Sequence, residues 1–494
     1  MFQNNLLMGA ASAGGAVALV EVGNSASYNG TDEFLDRTPS SASNRDLWTY
    51  SLWVNRSKLL ARQQLIQVYP SVPDEIEFIA TDALSVQLAN AATTLVTTRL
   101  FQDTNAWIHI VIIYNSLNAL ASERCRLYIN GVRETDFSTE TYPSSGQDSA
   151  TNSTESHRIG NYSSFYYGGY MAELVLIDGV AQPPTSFGEF DSTGLYWTPL
   201  ASATIKALTF GTNGFYLDNT TNAQTDASGN GNNFTNNNTV TTTTHTPTNS
   251  AALLNPLQLV PSGQTLSLNN TRITGATGGF LGGLMTTLPC DSGGKWYWES
   301  RVRTLYTTNG YHAYGVAPAN LKRTTDAAER PGVATFQGGS IFFRSAAYTD
   351  LNSNSNAQNT NVIGSMTISV GNIVQLAFDA ATQKLWYGIN NTWYNSGNPA
   401  TGANPSSTLT ATDDKWYPWF GMYQPEDSDD VNMGTNPTFN GAVTAQNNAD
   451  GNGEGNFYYA PPTGFLAINT NNIAAETTRT ASDTNKYFQT TLYE

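Results

Sequence analysis

A chain of 494 residues exceeds what one hydrophobic core usually organises, so two large domains are the expectation. Charged residues make up only 13% of the sequence, and Asn, Thr, Ser and Gly are abundant, a surface chemistry that suits strands and turns rather than long solvated helices. The net charge of −16 repels phosphate backbones, and no apolar run reaches the roughly 18–20 residues of a membrane helix, so neither nucleic acid nor membrane is an expected partner.

Residues 1–26 form a first segment. Leu6 to Val20 is small, apolar and uncharged, but a secretory signal carries a basic start and the first basic residue here is Arg37. Two readings stand: an anchor to the rest of an assembly, or an edge strand of the domain that follows.

A first domain is expected over 27–211. In Trp48–Asn55, the residues Trp48, Tyr50, Leu52 and Val54 alternate with mostly polar neighbours, the period of a half-buried strand. Trp107–Tyr114 is a continuous apolar run, suited to a central strand covered on both faces. Asn130-Gly131 lies between two strand-like runs and predicts a tight hairpin, because both turn residues must adopt positive φ. Met171–Ile177 closes the domain, and Pro183-Pro184 ends regular pairing. Residues 212–262, rich in Asn and Thr, read as a connector laid against a domain.

The second domain is expected over 263–473, with a tail at 474–494. Trp296, Trp298, Ser300 and Val302 fall on one face, as do Val374, Leu376 and Phe378. Lys384–Asn395 is again two strand runs around an Asn-Asn turn. Many short strands with closely spaced turns predict an all-β chain of two antiparallel sandwiches.

At this point two resemblances enter. Tyr28–Thr38, Trp48–Arg56, Leu127–Gly131, His157–Asn161 and Gly168–Gly179 resemble the laminin G-like, concanavalin A-like jelly rolls of marine bacteriophage proteins. Gly294–Val302, Gly315-Val316, Gly371–Asp379 and the Lys384–Tyr394 hairpin resemble the SPRY-type sandwich. In this order they imply a phage virion surface protein, a tail fibre, adhesin or capsid decoration protein, made in the bacterial cytoplasm. The resemblance further implies a homo-oligomer, a trimer by analogy with phage fibres, held to other virion proteins through its amino-terminal segment. A host surface glycan is the implied ligand.

The chemistry of catalysis is not apparent in the sequence. Jelly-roll glucanases carry Glu-x-Asp-x-x-Glu, and the nearest approach, Glu189-Phe190-Asp191, has Gly194 where the third carboxylate belongs. His109, His157, His245 and His312 lie beside no nucleophile motif, and His109 reads as a structural histidine inside a strand. Cys125 and Cys290 read as separate, reduced, buried thiols. No cofactor or metal ligand set is expected. Asp226–Asn233 and Glu426–Asp430 offer oxygen donors that calcium accepts, but neither fits an EF-hand loop, and both read as turns. Sugar contact calls for aromatic faces beside amides and hydroxyls. Tyr162, Phe165 and Tyr166 in one loop, and Asn391, Trp393 and Tyr394 in another, are the candidates; for Trp393, packing into the sandwich is the favoured alternative. Three functional classes result: virion scaffold, glycan-binding adhesin and glycan-degrading enzyme, of which the first two are compatible and favoured.

Overall fold

The computed structural model describes residues 20–473 except 70–72, 90, 193, 259–262, 277–282, 307–309, 320–337, 345–347, 354–356, 361–367 and 410–414. The segment before residue 20 and the tail from 474 lie outside the described residues. The architecture is all-β, as the alternating patterns predict. Four large antiparallel sheets form two sandwiches.

In the first sandwich one sheet runs Val132–Arg133, Cys125–Ile129, Trp107–Asn115, Leu47–Arg56, Gly168–Asp178, Ser25–Asn29 and Thr241–Thr243, with Phe215–Leu217 pairing to Gly168–Asp178. The facing sheet runs Phe137–Thr141, Thr93–Leu100, Ala83–Leu88, Asp74–Phe78, Gln63–Tyr69, Ser156–Ile159, Phe34–Arg37 and Thr235–Asn237. Trp48, Tyr50, Leu52 and Val54 point into the core between them, against Ile76, Leu84 and Val86 of the other sheet. The Trp107–Asn115 strand is covered on both sides. Ile108, Ile110 and Ile112 enter the main core, while Val111 and Ile113 meet Phe187, Ile205 and Phe210 outside. The Asn130-Gly131 turn has φ of 50° and 76°, as the sequence requires of it.

The segment expected as a connector, 212–262, contributes strands to this sandwich. Phe215–Leu217, Thr235–Asn237 and Thr241–Thr243 extend its two sheets, and Phe215, Leu217, Phe234 and Val240 enter its core. These apolar residues are isolated among Asn and Thr, so composition conceals their alternation. Of the 1–26 segment, the described part also belongs here: Val22 is buried beside Trp53 and Trp107, and Ser25 begins a paired strand.

The second sandwich pairs a sheet centred on Lys295–Thr304 and Ile373–Asp379 with one centred on Lys415–Met422 and Tyr311–Pro318. Trp296, Trp298, Val302, Val374, Leu376 and Phe378 share its core with Tyr314 and Phe420. The Asn390-Asn391 turn has φ of 48° and 64°, matching the expected hairpin. Cys125 and Cys290 are free and buried, one in each core.

Candidate functional site: an outer sheet face in the first sandwich

The second sheet of the first sandwich turns one face to the core and the other outward. Because side chains alternate along a strand, Ile76 and Phe78 enter the core while Glu75 and Glu77 stand together on the outer face. Register then extends that face sideways. Gln67 lies between Glu75 and Arg158, and Glu75 is opposite Gln87. One row along, Glu77 is opposite both Gln64 and Ser85.

Arg62 joins the two glutamates. Its Nη2 lies 3.1 Å from Glu75 Oε2, and its Nε donates to Glu77 Oε2. Burial pushes the Glu77 carboxyl above its ordinary range, against the opposing pull of Arg62. The guanidinium also lies over Phe165 at 4.4 Å and Tyr162 at 5.5 Å from the ring centres.

Those two rings belong to a small hairpin, Asn161–Tyr162 with Phe165–Tyr166, that borders the face. Gly160 launches it with φ of +87°, and a Cβ there would sit 2.7 Å from the Tyr28 ring, so the chain can turn here only as glycine. Tyr162, Phe165 and Tyr166 are half-buried. Tyr162 leans toward the exposed Tyr69, and Tyr166 toward Phe34. All three sequence candidates in this loop thus meet at one rim.

Several polar atoms of the floor have no hydrogen-bond partner. Gln67 is 1% exposed, yet neither its Oε1 nor its Nε2 is bonded; Gln64 Oε1, Ser85 Oγ and Arg158 Nε are likewise buried and unpartnered. Other groups here are satisfied: Gln64 Nε2 donates to the Ile66 carbonyl at 2.8 Å, and Arg158 Nη1 to Asn161 Oδ1 at 3.2 Å.

The candidates in the second sandwich do not join this site. Trp393 packs on the outer cluster containing Tyr297, Trp386 and Phe457, and Tyr394 packs against the main core. Both rings are held by packing. Asn391 is an exposed turn residue whose N–H donates to Gln375 Oε1 at 2.5 Å.

The other groups singled out in the sequence have structural partners. His109 is stacked between Trp53 and Trp197, and Trp197 Nε1 donates to its Nδ1 at 2.8 Å. That assigns the ring proton to Nε2, which faces Ser51 Oγ at 2.8 Å. Burial lowers its pKa to about 3. Glu189 and Asp191 lie at a surface hairpin, where Asp191 Oδ1 accepts from the N–H groups of Leu195 and Tyr196. Asp226 accepts from Tyr216 and Asn232 N–H groups and from Ser228, closing the turn at 226–233. In the Glu426–Asp430 run, Asp429 is bonded by His312, Tyr314 and Ser300, Asp430 by Arg272, and Asp427 by backbone N–H groups. Among the described residues no group of three or more His, Cys, Asp or Glu is placed to hold a metal ion.

Residues 29–184 match the family described as the concanavalin A-like lectin/glucanases superfamily. Over this stretch the chain resembles laminin G-like, concanavalin A-like domains. No curated protein matches the chain. Among solved structures, the SPRY domain of human HERC1 is 16% identical, covering 36% of this chain and 96% of its own, with a TM-score of 0.25. Domains LG4-5 of the mouse laminin alpha1 chain are 9% identical, covering 86% and 91%, with a TM-score of 0.26. The heptameric SAP-like pentraxin of Limulus polyphemus is 12% identical, covering 33% and 79%, with a TM-score of 0.26. No described helix is long and apolar enough to cross a membrane.

The floor residues Gln64, Gln67, Glu75, Glu77 and Ser85 escape a reading by motif. Their signal is the run Asp74-Glu75-Ile76-Glu77-Phe78, in which acidic and apolar residues alternate at strand period. It identifies a two-faced strand, but only register brings Gln67 and Ser85 beside it.

Proposed function

We propose that this chain is a non-enzymatic surface protein of a bacteriophage particle that contacts host glycans through the outer face of its first sandwich. The observation that carries the glycan reading is the meeting, on one sheet face, of amide, hydroxyl and guanidinium groups with the half-buried rings of Tyr162, Phe165 and Tyr166. Aromatic faces stack on sugar C–H surfaces, and fixed polar groups supply direction. The match of residues 29–184 to a superfamily that includes lectins supports it. The virion reading is supported by the resemblance of the first sandwich to phage jelly rolls, followed in order by a second that resembles the SPRY type. In it, the amino-terminal segment ahead of the Ser25–Asn29 strand attaches a homo-oligomer, a trimer by analogy, to other virion proteins of a tail fibre or capsid decoration.

A glycan array probed with the purified full-length chain tests the first part. Retention on defined saccharides, lost in Tyr162→Ala/Phe165→Ala, is expected; retention on none overturns it. Immunolabelling of purified particles tests the second, which fails if the chain is absent from them.

One observation favours a second reading, glycan cleavage: Glu75 and Glu77 share a strand face, where glycosidases place paired carboxylates. Against it, one guanidinium bridges both groups. Release of reducing ends from host polysaccharide, abolished by Glu77→Gln, would decide for cleavage.

A further inference from the structure

The short helix Ser202–Lys206 packs on the outer side of the first sandwich, beside the strand Phe215–Leu217. Ile205 anchors it against Val175, Ile177 and Tyr216, which fixes where Lys206 emerges. The strand pairs Tyr216 with Val175 and Leu217 with Leu174, and one more step of that register brings Asp218 to Glu173. Glu173 sits in a bulge, where the pairing of Gly168–Asp178 with Leu47–Arg56 shifts between Ala172 and Val175. Its φ of 51° is uncommon for a residue with a side chain, and bulges re-aim the side chains they carry.

Three reactive groups meet there. Lys206 Nζ lies 2.7 Å from Asp218 Oδ2, and the Asp218 side chain is only 4% exposed. Thr220 holds the other oxygen, Oδ1, through its N at 3.1 Å and its Oγ1 at 2.9 Å, so the carboxylate cannot turn away. Oδ2 has no hydrogen bond: the amine stands at bonding length but off the angle a hydrogen bond needs. Glu173, 2% exposed, accepts from Tyr216 OH. Burial raises its pKa to about 8, and the Asp218 charge adds to the rise, so it is protonated at neutral pH. The Tyr216 ring flanks the amine, its centre 6.0 Å from Nζ. A simple ion pair accounts for Lys206 and Asp218 but gives no part to the buried acid beside them.

We propose that Lys206 and Asp218 join in an intramolecular amide bond, with Glu173 as the acid that assists its formation. A proton passes from the Lys206 ammonium to Asp218 Oδ2, leaving a neutral amine and a carboxylic acid. The Nζ lone pair attacks Asp218 Cγ. Glu173 gives a proton to the departing oxygen and recovers one from Nζ, so it ends unchanged. One C–N bond forms, one C–O bond breaks and one water leaves, with no oxidant, reductant or cofactor. Groups held in contact react at effective molarities of about 10⁵–10⁸ M, and the burial of Asp218 and Glu173 keeps water from reversing the step. The bond closes the 206–218 loop and pins the Phe215–Leu217 strand to its sheet, in a chain whose two cysteines are both free. It is independent of what the outer face of the other sheet binds.

The test is mass spectrometry of the purified full chain under denaturing conditions, which separate an ion pair but not an amide. The mass is expected to lie one water below that of the sequence. Trypsin is expected to leave Lys206 uncleaved, within a branched peptide that contains Asp218. Lys206→Arg keeps the charge pair and removes the primary amine; it is expected at the full sequence mass, with a lower Tm than the wild type. Glu173→Gln keeps the shape and the acceptor for Tyr216 OH, and is expected to fold with the Tm of Lys206→Arg and to retain the water. A wild-type mass equal to that of the sequence overturns the proposal and leaves an ion pair only. A water loss that persists in Lys206→Arg, or that fragmentation places in the Asp218-Asn219 backbone, overturns it as well. A water loss that persists in Glu173→Gln overturns the part given to Glu173. If Glu173→Gln does not fold, the Lys206→Arg mass still decides whether the bond exists.

Discussion

The carboxamide of Asn269, in the second sandwich, is held between Ser27 and Ser57 of the first. Its Nδ2 donates to Ser27 Oγ at 2.7 Å, and its Oδ1 accepts from Ser57 Oγ at 3.0 Å. Asn270 adds a bond to the Ser57 carbonyl at 3.2 Å, and Tyr170 OH reaches the Asn269 carbonyl at 3.3 Å. The geometry depends on an unusual turn, since Leu268, Asn269 and Asn270 have φ of 50°, 57° and 60°. Asn tolerates this region better than most residues.

Asn269→Ala is therefore expected to uncouple the sandwiches more than it unfolds either. Losing these partly buried bonds should cost about 1–3 kcal/mol, focused on the contact between the domains. Differential scanning calorimetry should show one transition broadening or splitting into two. A single sharp transition with unchanged Tm would show that the apolar contacts around Leu253, Trp53 and Tyr170 suffice.

The four histidines predict how stability depends on pH. Burial holds His109 and His245 at about 3 and His157 at about 4, so each is neutral when folded. Unfolded, each takes up a proton near pH 6.5. Stability gained from these three is fully present above pH 6.5 and is lost as pH falls. Between 4.5 and 6.5 the loss is offset by Glu33, Glu173 and Glu299, which burial raises to about 7, about 8 and about 7, so that the folded chain holds protons the unfolded chain releases. Below pH 4.5 the offset ends and stability should fall steeply, by about 1.4 kcal/mol per pH unit for each unmatched proton. His312 runs the other way. Against the pull of burial, Asp429 and Asp427 hold it at about 9, so its contribution is complete below pH 6.5 and is lost as pH rises through 9. Urea titrations from pH 3 to 10 should give a plateau near pH 5–7 with decline on both sides. In NMR, the His312 ring alone should remain charged at pH 7.5; a neutral His312 there contradicts the ion-pair arrangement.

A third prediction concerns the end of the second sandwich. Glu299 Oε1 accepts from Tyr297 OH at 2.9 Å and Tyr459 N at 2.7 Å, while Oε2 accepts from Asn432 Nδ2 at 3.2 Å and Tyr458 N at 2.9 Å. In the ionised carboxylate, above its pKa of about 7, both oxygens serve only as acceptors. Glu299→Gln must turn an NH₂ group toward two donors, at a cost of about 1–3 kcal/mol. The 457–459 segment should loosen first. Limited proteolysis near Tyr458 should accelerate in the variant, and equal cleavage rates would show that Phe457 packing alone retains the segment.

The fold was legible where alternation and turn chemistry agree. Trp48 to Val54, Trp296 to Val302 and the two asparagine hairpins carry their strand identity locally, because period and positive-φ turns need no knowledge of distant partners. Thr235–Asn237 and Thr241–Thr243 did not, since their pairing depends on Phe34–Arg37 and Ser25–Asn29, some 200 residues earlier. The site divides in the same way. Tyr162, Phe165 and Tyr166 stand close together in sequence and could be proposed as one rim. Gln67, Glu75 and Ser85 come onto one face only through register, and the packing of Trp393 on the outer cluster with Trp386 and Phe457 is named by no local pattern.

The last prediction concerns the most completely buried ion pair of the first sandwich. Arg56 Nη2 lies 3.0 Å from Asp82 Oδ1, with both side chains fully buried. Burial lowers the Arg56 pKa, and Asp82 opposes that shift. The guanidinium also donates to the Phe101 carbonyl at 2.5 Å and stacks over Phe78 at 4.2 Å, while Asp82 Oδ1 accepts from Leu60 N at 2.7 Å and Oδ2 from Gln102 at 3.1 Å. Asp82→Asn keeps the shape and removes the charge, leaving a cation buried without its counter-ion, which should cost about 3–5 kcal/mol. Pairing it with Arg56→Met removes the stranded cation as well. The double variant should therefore unfold at a higher urea concentration than Asp82→Asn alone, because the penalty lies in the unpaired charge more than in the lost attraction. If the double variant is the less stable of the two, Arg56 acts mainly through its contacts with Phe78 and Phe101, and the pair is better described as packing.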